Sequence, residues 1–501
     1  MPGLSIPPET DTIVVGGGTG GAACAATLAS YSSRQVLLLE AGPDYGPHQC
    51  GAWPADVLDA ASIPLSHDWC LTDAGKARTD LPRARMLGGC SSHNGCTASL
   101  GARADYDGWA TAGNPGWESA TVEPLLKWVH ERFRVRRYRT DELTVPQAAF
   151  VDAGLAAGLP FADDLDDLDA ATGIGPMPVN IVEGTRWNAA FAFLDPVREH
   201  ANLTIAAGVT VSRLLVEHGV AVGVLADTPD GPRTIRAGRV IVAAGAYHSP
   251  ALLLRSGIGA ADELRSVGVD VVADLPGVGR NLLDHPCVQL DFHGRDGLLE
   301  EMERMSWHPD EQTIGRGKSS RCDDGPYDIH VFMVAGANSG HPGLPPISLY
   351  GGAMRAVSAG QVSLTSAAPD AAPRIEHNYG SDPAGHDRAV LSEALTLLRE
   401  MTAERGLSAV LGKAANEDSD PLSRIVNYCH PAGSCRMGPA GDPMAVVGAD
   451  GAVRGVGGLY VADASVMPAI TRGNPNLPVA MIGARIAAGL LGLAPADAVT
   501  A

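Results

Sequence analysis

The hydrophobic positions are distributed in two ways along the chain. Near the N-terminus, Thr12-Ile-Val-Val15 is a continuous run that meets a glycine turn, and the turn opens a small-residue helix from Thr19 to Ala29. A second run, Gln35-Val-Leu-Leu-Leu39, ends in Glu40. Unbroken apolar runs bounded by turn residues predict strands covered on both faces. Residues 43–84 hold few periodic apolar stretches and read as a long connection lying over another surface. Residues 105–140 predict an amphipathic helix, with Asp105–Trp109 followed by apolar residues three and four apart from Val122 to Phe133. From Leu203 the pattern turns to strands: Leu203–Ala206, Thr210–Val216, Val220–Leu225, Thr234–Arg236 and Arg239–Ala244. Further on, strands are expected at Asp328–Val334, Pro346–Tyr350 and Gln361–Thr365, and a helix at His386–Met401. Residues 293–326 are polar, charged and glycine-punctuated; a lid and a surface excursion both suit them.

The first turn has the chemistry of a dinucleotide site. Gly16 makes the tight turn, Gly18 lets the backbone approach a pyrophosphate, and Gly21 lets helix and strand touch. The helix N-terminus offers unpaired N–H groups to the phosphates. Glu40 stands 19 residues after Gly21, close to the roughly 20 expected of the carboxylate that takes a ribose hydroxyl.

Composition narrows the class. The 501 residues are 45% hydrophobic and 19% charged, which suits a globular protein of two or three domains. A net charge of −20 argues against nucleic acid and anionic membrane surfaces. No apolar run reaches the length of a spanning helix. The start, Met1-Pro-Gly-Leu-Ser-Ile-Pro-Pro8, has no charged and apolar signal pattern. Nine cysteines form neither a pairing framework nor a metal knuckle, so free thiols in a reducing, cytoplasmic compartment are expected. The aspartates 163, 164, 166, 167 and 169 mimic the spacing of a calcium loop but lack its central glycine and closing glutamate, so they read as a solvated turn and no metal is expected.

Six stretches together carry a resemblance. They are Arg83–Tyr106 with Gly88-Gly-Cys-Ser-Ser-His-Asn-Gly95, then Gly245–Gly259, Gly279–His285, His430–Gly438, Leu459–Ser465 and Asn474-Pro-Asn476. In these motifs and their order the chain resembles the glucose–methanol–choline (GMC) oxidoreductases, with wording closest to choline oxidase-like members. The resemblance implies FAD and the oxidation of an alcohol to a carbonyl, by proton abstraction and hydride transfer to the flavin N5. Oxygen or another acceptor then reoxidises the flavin. It implies an α/β, Rossmann-like FAD-binding domain and an α+β substrate domain carrying an antiparallel sheet. Residues 9–285 would form mainly the first, with 150–200 contributing to the substrate side. Residues 286–424 would form the second, and 425–501 would return to the first. A homodimer and a monomer are both compatible with this sequence.

The resemblance also implies roles. FAD contacts are expected from Gly16, Gly18, Thr19, Gly20, Gly21, Glu40 and Ala41 at the first turn. Arg85, Gly88, Gly89, Cys90, His93, Asn94 and Gly95 would supply the second group. Val211 would lie beside the adenine, Ala244 nearby, and Asp463, Ala464, Asn474, Pro475 and Asn476 at the C-terminal side. His430 is the expected base, since a neutral imidazole can take the hydroxyl proton. Asn476 would fix the alcohol oxygen, with Asn474 as the alternative contact. His93 stands where choline oxidases bond the flavin 8α carbon; covalent FAD and simple packing are both open. Choline itself is disfavoured: a quaternary ammonium wants an aromatic cage and often a carboxylate. The substrate region offers Phe292, Trp307, Tyr327, Phe332 and Tyr350, Gly95 replaces a serine, and a bulky Tyr428 precedes the base. That tyrosine also puts oxygen as the acceptor in question. A non-redox alternative exists within the resemblance, because hydroxynitrile lyases keep FAD without using it for oxidation.

Overall fold

A computed structural model describes residues 6–75, 79–305, 307–336, 346–415 and 420–499. The first sheet contains β1 (Glu9–Val15), β2 (Val36–Glu40), β3 (Leu203–Ala207), β4 (Thr210–Glu217), β5 (Val220–Thr228) and β6 (Gly231–Val242). Helix α1 (Thr19–Tyr31) connects β1 to β2, which pair in parallel, as a βαβ unit requires. The strand order is β3-β2-β1-β6-β5-β4, and a late strand, Leu459–Val461, also pairs with β6. β1 and β2 carry the buried side chains Ile13, Val14, Leu37 and Leu38, as their unbroken apolar runs predict.

β6 is longer than expected. The two strands expected at Thr234–Arg236 and Arg239–Ala244 belong to one that changes partners midway. Residues 231–236 pair antiparallel with β5, while 236–242 pair in parallel with β1. Residues 234–238 alternate between exposed and buried and 240–242 are all buried, so two periodicities share one strand. The helix expected over 105–140 is likewise two helices, Arg103–Thr111 and Ser119–Arg132. The Gly113-Asn-Pro-Gly116 segment between them breaks the helix, both glycines taking positive φ.

The second sheet is antiparallel throughout. It contains β7 (Pro286–Phe292), β8 (Thr313–Gly317), β9 (Ile329–Ala335) and β10 (Ile347–Ala353) in the order β7-β10-β9-β8. Gly173–Pro176 pairs with β8, and Val426–Asn427 pairs with β7. Helix α2 (His386–Ala403) buries Val390, Leu391, Ala394, Leu395 and Leu398 against one face, where Val331, Met333 and Leu349 meet it. By strand alternation, Phe332, Val334 and Tyr350 face the other way, into a cavity between the two sheets.

β8 corrects the view of 293–326 as one lid or surface excursion. All five of its residues are buried, paired on both edges. Its Thr-Ile-Gly-Arg-Gly sequence resembles a loop, but Gly315 is there because a Cβ would approach Val331 Cγ2 to 2.7 Å. The acidic run at 163–169 is a paired surface rather than a merely solvated one. Asp166 bonds His130 at 2.7 Å, and Asp169 bonds Arg103 at 2.7 Å. Among the described residues no side-chain cluster suits a metal ion, and no helix is long and apolar enough to cross a membrane.

Candidate active site

A cavity of about 870 Å³ runs from the first glycine turn to the antiparallel sheet. Gly16, Gly18, Thr19, Gly20, Glu40 and Ala41 line one end. Gly21 stands behind them, where a Cβ would come within 1.9 Å of the Gly16 carbonyl oxygen, so helix and strand touch there. A Cβ on Gly18, by contrast, would meet nothing nearer than Gly89 Cα at 3.7 Å. That side of the turn is open for a ligand to come against the backbone.

Glu40 is buried, and its two carboxylate oxygens accept the N–H groups of Gly17 at 2.8 Å and Gly42 at 2.7 Å. Burial raises its pKa, and those amides oppose the rise. The bonds aim the carboxylate at the cavity end and leave each oxygen a further lone pair for a ribose hydroxyl. Glu40→Ala, made in a His93→Ala background, is expected to leave gel filtration depleted of FAD; full flavin occupancy would remove the ribose role.

Arg85, Gly89, Cys90, His93, Asn94 and Gly95 line the middle, while Gly88 lies behind, its N–H bonded to the Gly17 carbonyl at 2.8 Å. Arg85 also stacks over Trp69, 4.7 Å from the ring centre. The hydroxyl of Ser91 donates to the Gly88 carbonyl at 2.6 Å and that of Ser92 to the Leu87 carbonyl at 3.0 Å, which fixes the turn beneath His93. The His93 ring is 5% exposed, and its Nε2 has no hydrogen-bond partner. Burial, then the charge of Arg83, pushes its pKa down to about 4, so it is a neutral imidazole at neutral pH. Val211 and Ala244 line the far side.

His430 is reached through a strained turn. Cys429 takes φ +61°, and the His430 N–H donates to Asp284 Oδ1 at 2.9 Å. The Tyr428 ring stacks on the imidazole with centroids 4.4 Å apart and on Phe332 at 4.7 Å, and Phe332 in turn stacks on Tyr350 at 4.8 Å. His430 Nε2 is 3.2 Å from Asn474 Nδ2. Its pKa falls well below the ordinary value, through burial first and then His285, Arg83 and His330.

Asn476 opens helix α3 (Asn476–Leu491). Its Oδ1 accepts the Thr19 hydroxyl at 2.9 Å, tying this loop to the glycine turn, and its Nδ2 is buried without a partner. Asn474 Oδ1 is likewise unpartnered, and Pro475 and Ala464 line the same end. Asp463 lines the cavity too, but its carboxylate is engaged by Gly245 N at 2.8 Å, Ser249 Oγ at 2.5 Å and Ser465 N at 2.8 Å. It ties its own segment to the start of the Gly245–Arg255 helix.

Two ionisable groups are not signalled by the sequence. Arg83 opens the first of the six motif stretches, and its guanidinium donates to the Cys429 carbonyl at 2.8 Å, beside the base. Its charge also reaches His93, so it helps to keep both imidazoles neutral. Glu311 faces the cavity at Gly95, whose Cβ would lie 3.0 Å from Glu311 Oε2. Burial, then Asp310, raises its pKa to about 8. Asp310 itself rises to about 7, through burial and then Asp59. Of the aromatics expected near the substrate, Phe332 and Tyr350 line the cavity and Phe292, Trp307 and Tyr327 do not. A clue to Glu311 existed in the Asp310-Glu311 pair just before β8, but only the strand's position reveals where it points.

The cavity fits a long dinucleotide. It is open against Gly18, closed by buried unpartnered nitrogens at His93 and Asn476, and ends beside His430. Sequence profiles of the GMC oxidoreductase family match residues 10–287 and 356–483. Oxygen-dependent choline dehydrogenase of Brucella anthropi is 33% identical, covering 97% of this chain and 96% of the relative. That of Rhizobium etli is 30% identical with the same coverage. The crystal structure of pyridoxine 4-oxidase from Mesorbium loti superposes with a TM-score of 0.81 at 25% identity, covering 96% of this chain and 99% of the other. Formate oxidase of Aspergillus oryzae superposes at 0.82 with 22% identity, covering 96% and 98%, and shares the fold. None of these relatives supports the lyase alternative. The chain therefore belongs to the GMC oxidoreductase family, and it is an FAD-dependent enzyme that oxidises alcohols at the CH–OH carbon.

Proposed function

We propose that the substrate is a small alcohol whose far end is a cation, an amino or quaternary ammonium alcohol, and that His430 takes its hydroxyl proton. The observation that carries the substrate class is Glu311, a carboxylate on the same cavity wall as Phe332, Tyr350 and Tyr428. A carboxylate beside aromatic faces attracts an ammonium group through charge and ring quadrupole together. The low aromatic content argued against such a ligand, but these three rings are concentrated at one place. Choline, named in the relatives at 30–33% identity, is an alcohol of this class.

FAD, when bound, supplies the hydride acceptor. His430, neutral and buried, accepts the hydroxyl proton at Nε2, which is worth roughly 10²–10⁴-fold in rate. Asn476 directs its free Nδ2 amide at the alcohol oxygen and holds it while negative charge grows there. Glu311 places the cation so that the CH–OH end lies between these two groups. Oxygen or another carrier reoxidises the flavin, and admitting air after reduction distinguishes them. A cytoplasmic location is supported by the nine cysteines, all free thiols.

The test compares choline with its neutral isostere, 3,3-dimethylbutan-1-ol, by anaerobic flavin bleaching. Choline is expected to half-saturate at a concentration lower by about tenfold, equivalent to about 1.4 kcal/mol. Its affinity should strengthen as pH rises through about 8, because the ionised Glu311 is the form that binds a cation. Glu311→Gln should erase the preference. Equal use of both alcohols, or a preference that survives Glu311→Gln, would sink the cationic reading.

A further inference from the structure

Directly behind His430 is a second imidazole that the reaction above does not use. His285 closes the Gly279–His285 stretch and is fully buried. Its Nδ1 lies 2.9 Å from Nδ1 of His430, and the two rings meet edge to face, at 88°. Two neutral imidazoles can share one hydrogen bond only if one nitrogen carries the proton and the other is bare.

The surroundings decide which. His430 Nε2 faces the Asn474 amide nitrogen, a donor, so it is the bare nitrogen and the proton sits on Nδ1. Around His285, the backbone carbonyls of Thr471 and Met354 lie beside the ring, and its Nε2 has no hydrogen-bond partner. With His430 donating from its Nδ1, the single proton of a neutral His285 sits on Nε2 and its Nδ1 is bare. The nearby carboxylate takes no part in this choice. Asp284 accepts the backbone N–H groups of His285 at 2.7 Å and His430 at 2.9 Å, and the Tyr379 hydroxyl at 2.7 Å. It anchors both backbones rather than either ring.

We propose that His285 is a positioning residue for His430: it accepts the Nδ1–H of His430 and so keeps Nε2 bare toward the cavity. The proposal rests on His430 being the base. The ring in the orienting place is neutral, where a carboxylate would stabilise a charged base. Its pKa is lowered to about 3, by burial above all. Arg355 faces His285, Arg83 and His330 face His430, and the thiols of Cys287 and Cys429 lie nearby. Asp284 is the one carboxylate in this group. The pair therefore fixes a tautomer while doing little to retain a proton on His430, which suits a base that must be bare again for each turnover.

The tautomers are read directly by long-range proton–nitrogen NMR on holoenzyme labelled with ¹⁵N-histidine, with His430→Gln and His285→Asn assigning the signals. The expected result is a protonated Nδ1 and bare Nε2 in His430, and a protonated Nε2 in His285. A proton on His430 Nε2 overturns the proposal. Kinetics follow with choline. His285→Leu, which has no acceptor, should mix the His430 tautomers and slow flavin reduction by about tenfold or more. His285→Asn, whose Oδ1 can accept, should recover most of that rate. A His285→Leu enzyme that reduces at the parent rate with unchanged His430 signals also overturns it. If the leucine variant does not fold, or choline does not reduce the flavin, the tautomers of the parent enzyme still decide. Failure of the base reading appears separately, as a His430→Gln enzyme that reduces its flavin at the parent rate.

Discussion

His430→Ala should keep a nearly unchanged flavin spectrum and reduce that flavin about 10²-fold more slowly or worse. The spectrum is expected to survive because the residues implied to hold FAD lie mostly on other segments of the cavity wall. The rate falls because nothing else in place accepts the proton: His285 is behind the ring, and Asn476 and Asn474 do not titrate. The pH dependence has a defined sign. Burial, His285, Arg83 and His330 all lower the His430 pKa, so the neutral form persists from alkaline pH to well below 6.5. In the parent enzyme, reduction should therefore stay level as pH falls through the usual histidine range and drop only in more acid solution. Anaerobic stopped-flow reduction across pH measures both effects. A variant that reduces its flavin at the parent rate removes His430 from the chemistry, and a parent profile that breaks near 6.5 contradicts the buried, neutral base.

The second large effect concerns His93. A covalent link needs a nucleophilic ring nitrogen held against the flavin 8α carbon, and a protonated imidazole has no lone pair to offer. His93 meets this need: its pKa is pushed down to about 4, and its Nε2 is buried, unpartnered and on the cavity wall. The seryl bonds to the carbonyls of Gly88 and Leu87 pin the turn and limit where the ring can go. Acid-denatured protein is expected to keep its yellow colour in the pellet. The intact mass should exceed that of the polypeptide by one FAD less two hydrogens, because the new N–C bond replaces an 8α C–H and an imidazole N–H, and the flavin reduced in that step is reoxidised by its electron acceptor. His93→Ala should release the flavin into the acid supernatant and slow reduction. If the unmodified protein sheds all its flavin on denaturation, His93 is only a neighbour of the ring.

His93 stood out in the sequence because its motif is local: Gly88-Gly-Cys-Ser-Ser-His is one short turn, and its geometry follows from neighbours in the chain. Gly16 to Gly21 and Glu40 were legible for the same reason, since a strand, a glycine turn and a helix of fixed rise place a carboxylate about where a ribose must lie. β1, β2 and α2 were legible from periodicity, because burial on two faces or on one stripe is written residue by residue. β8 was not. Its glycines and arginine resemble a loop, and only the close approach of Val331 explains Gly315.

The site divides in the same way. Family motifs pointed to His430 and Asn476, but not to the fact that Asn476 bonds Thr19, 457 residues away in the chain. Glu311, Arg83 and His285 acquire their roles from partners distant in sequence: Gly95, Cys429 and His430. A charge or an imidazole is identified by its sequence, but its pKa, its tautomer and the ligand it can meet depend on what burial places beside it. Local order was thus determined by the chain's own periodicity and turns. The neutral state of its histidines, and the carboxylate awaiting a cation, were decided only when two sheets closed over one cavity and removed those groups from water.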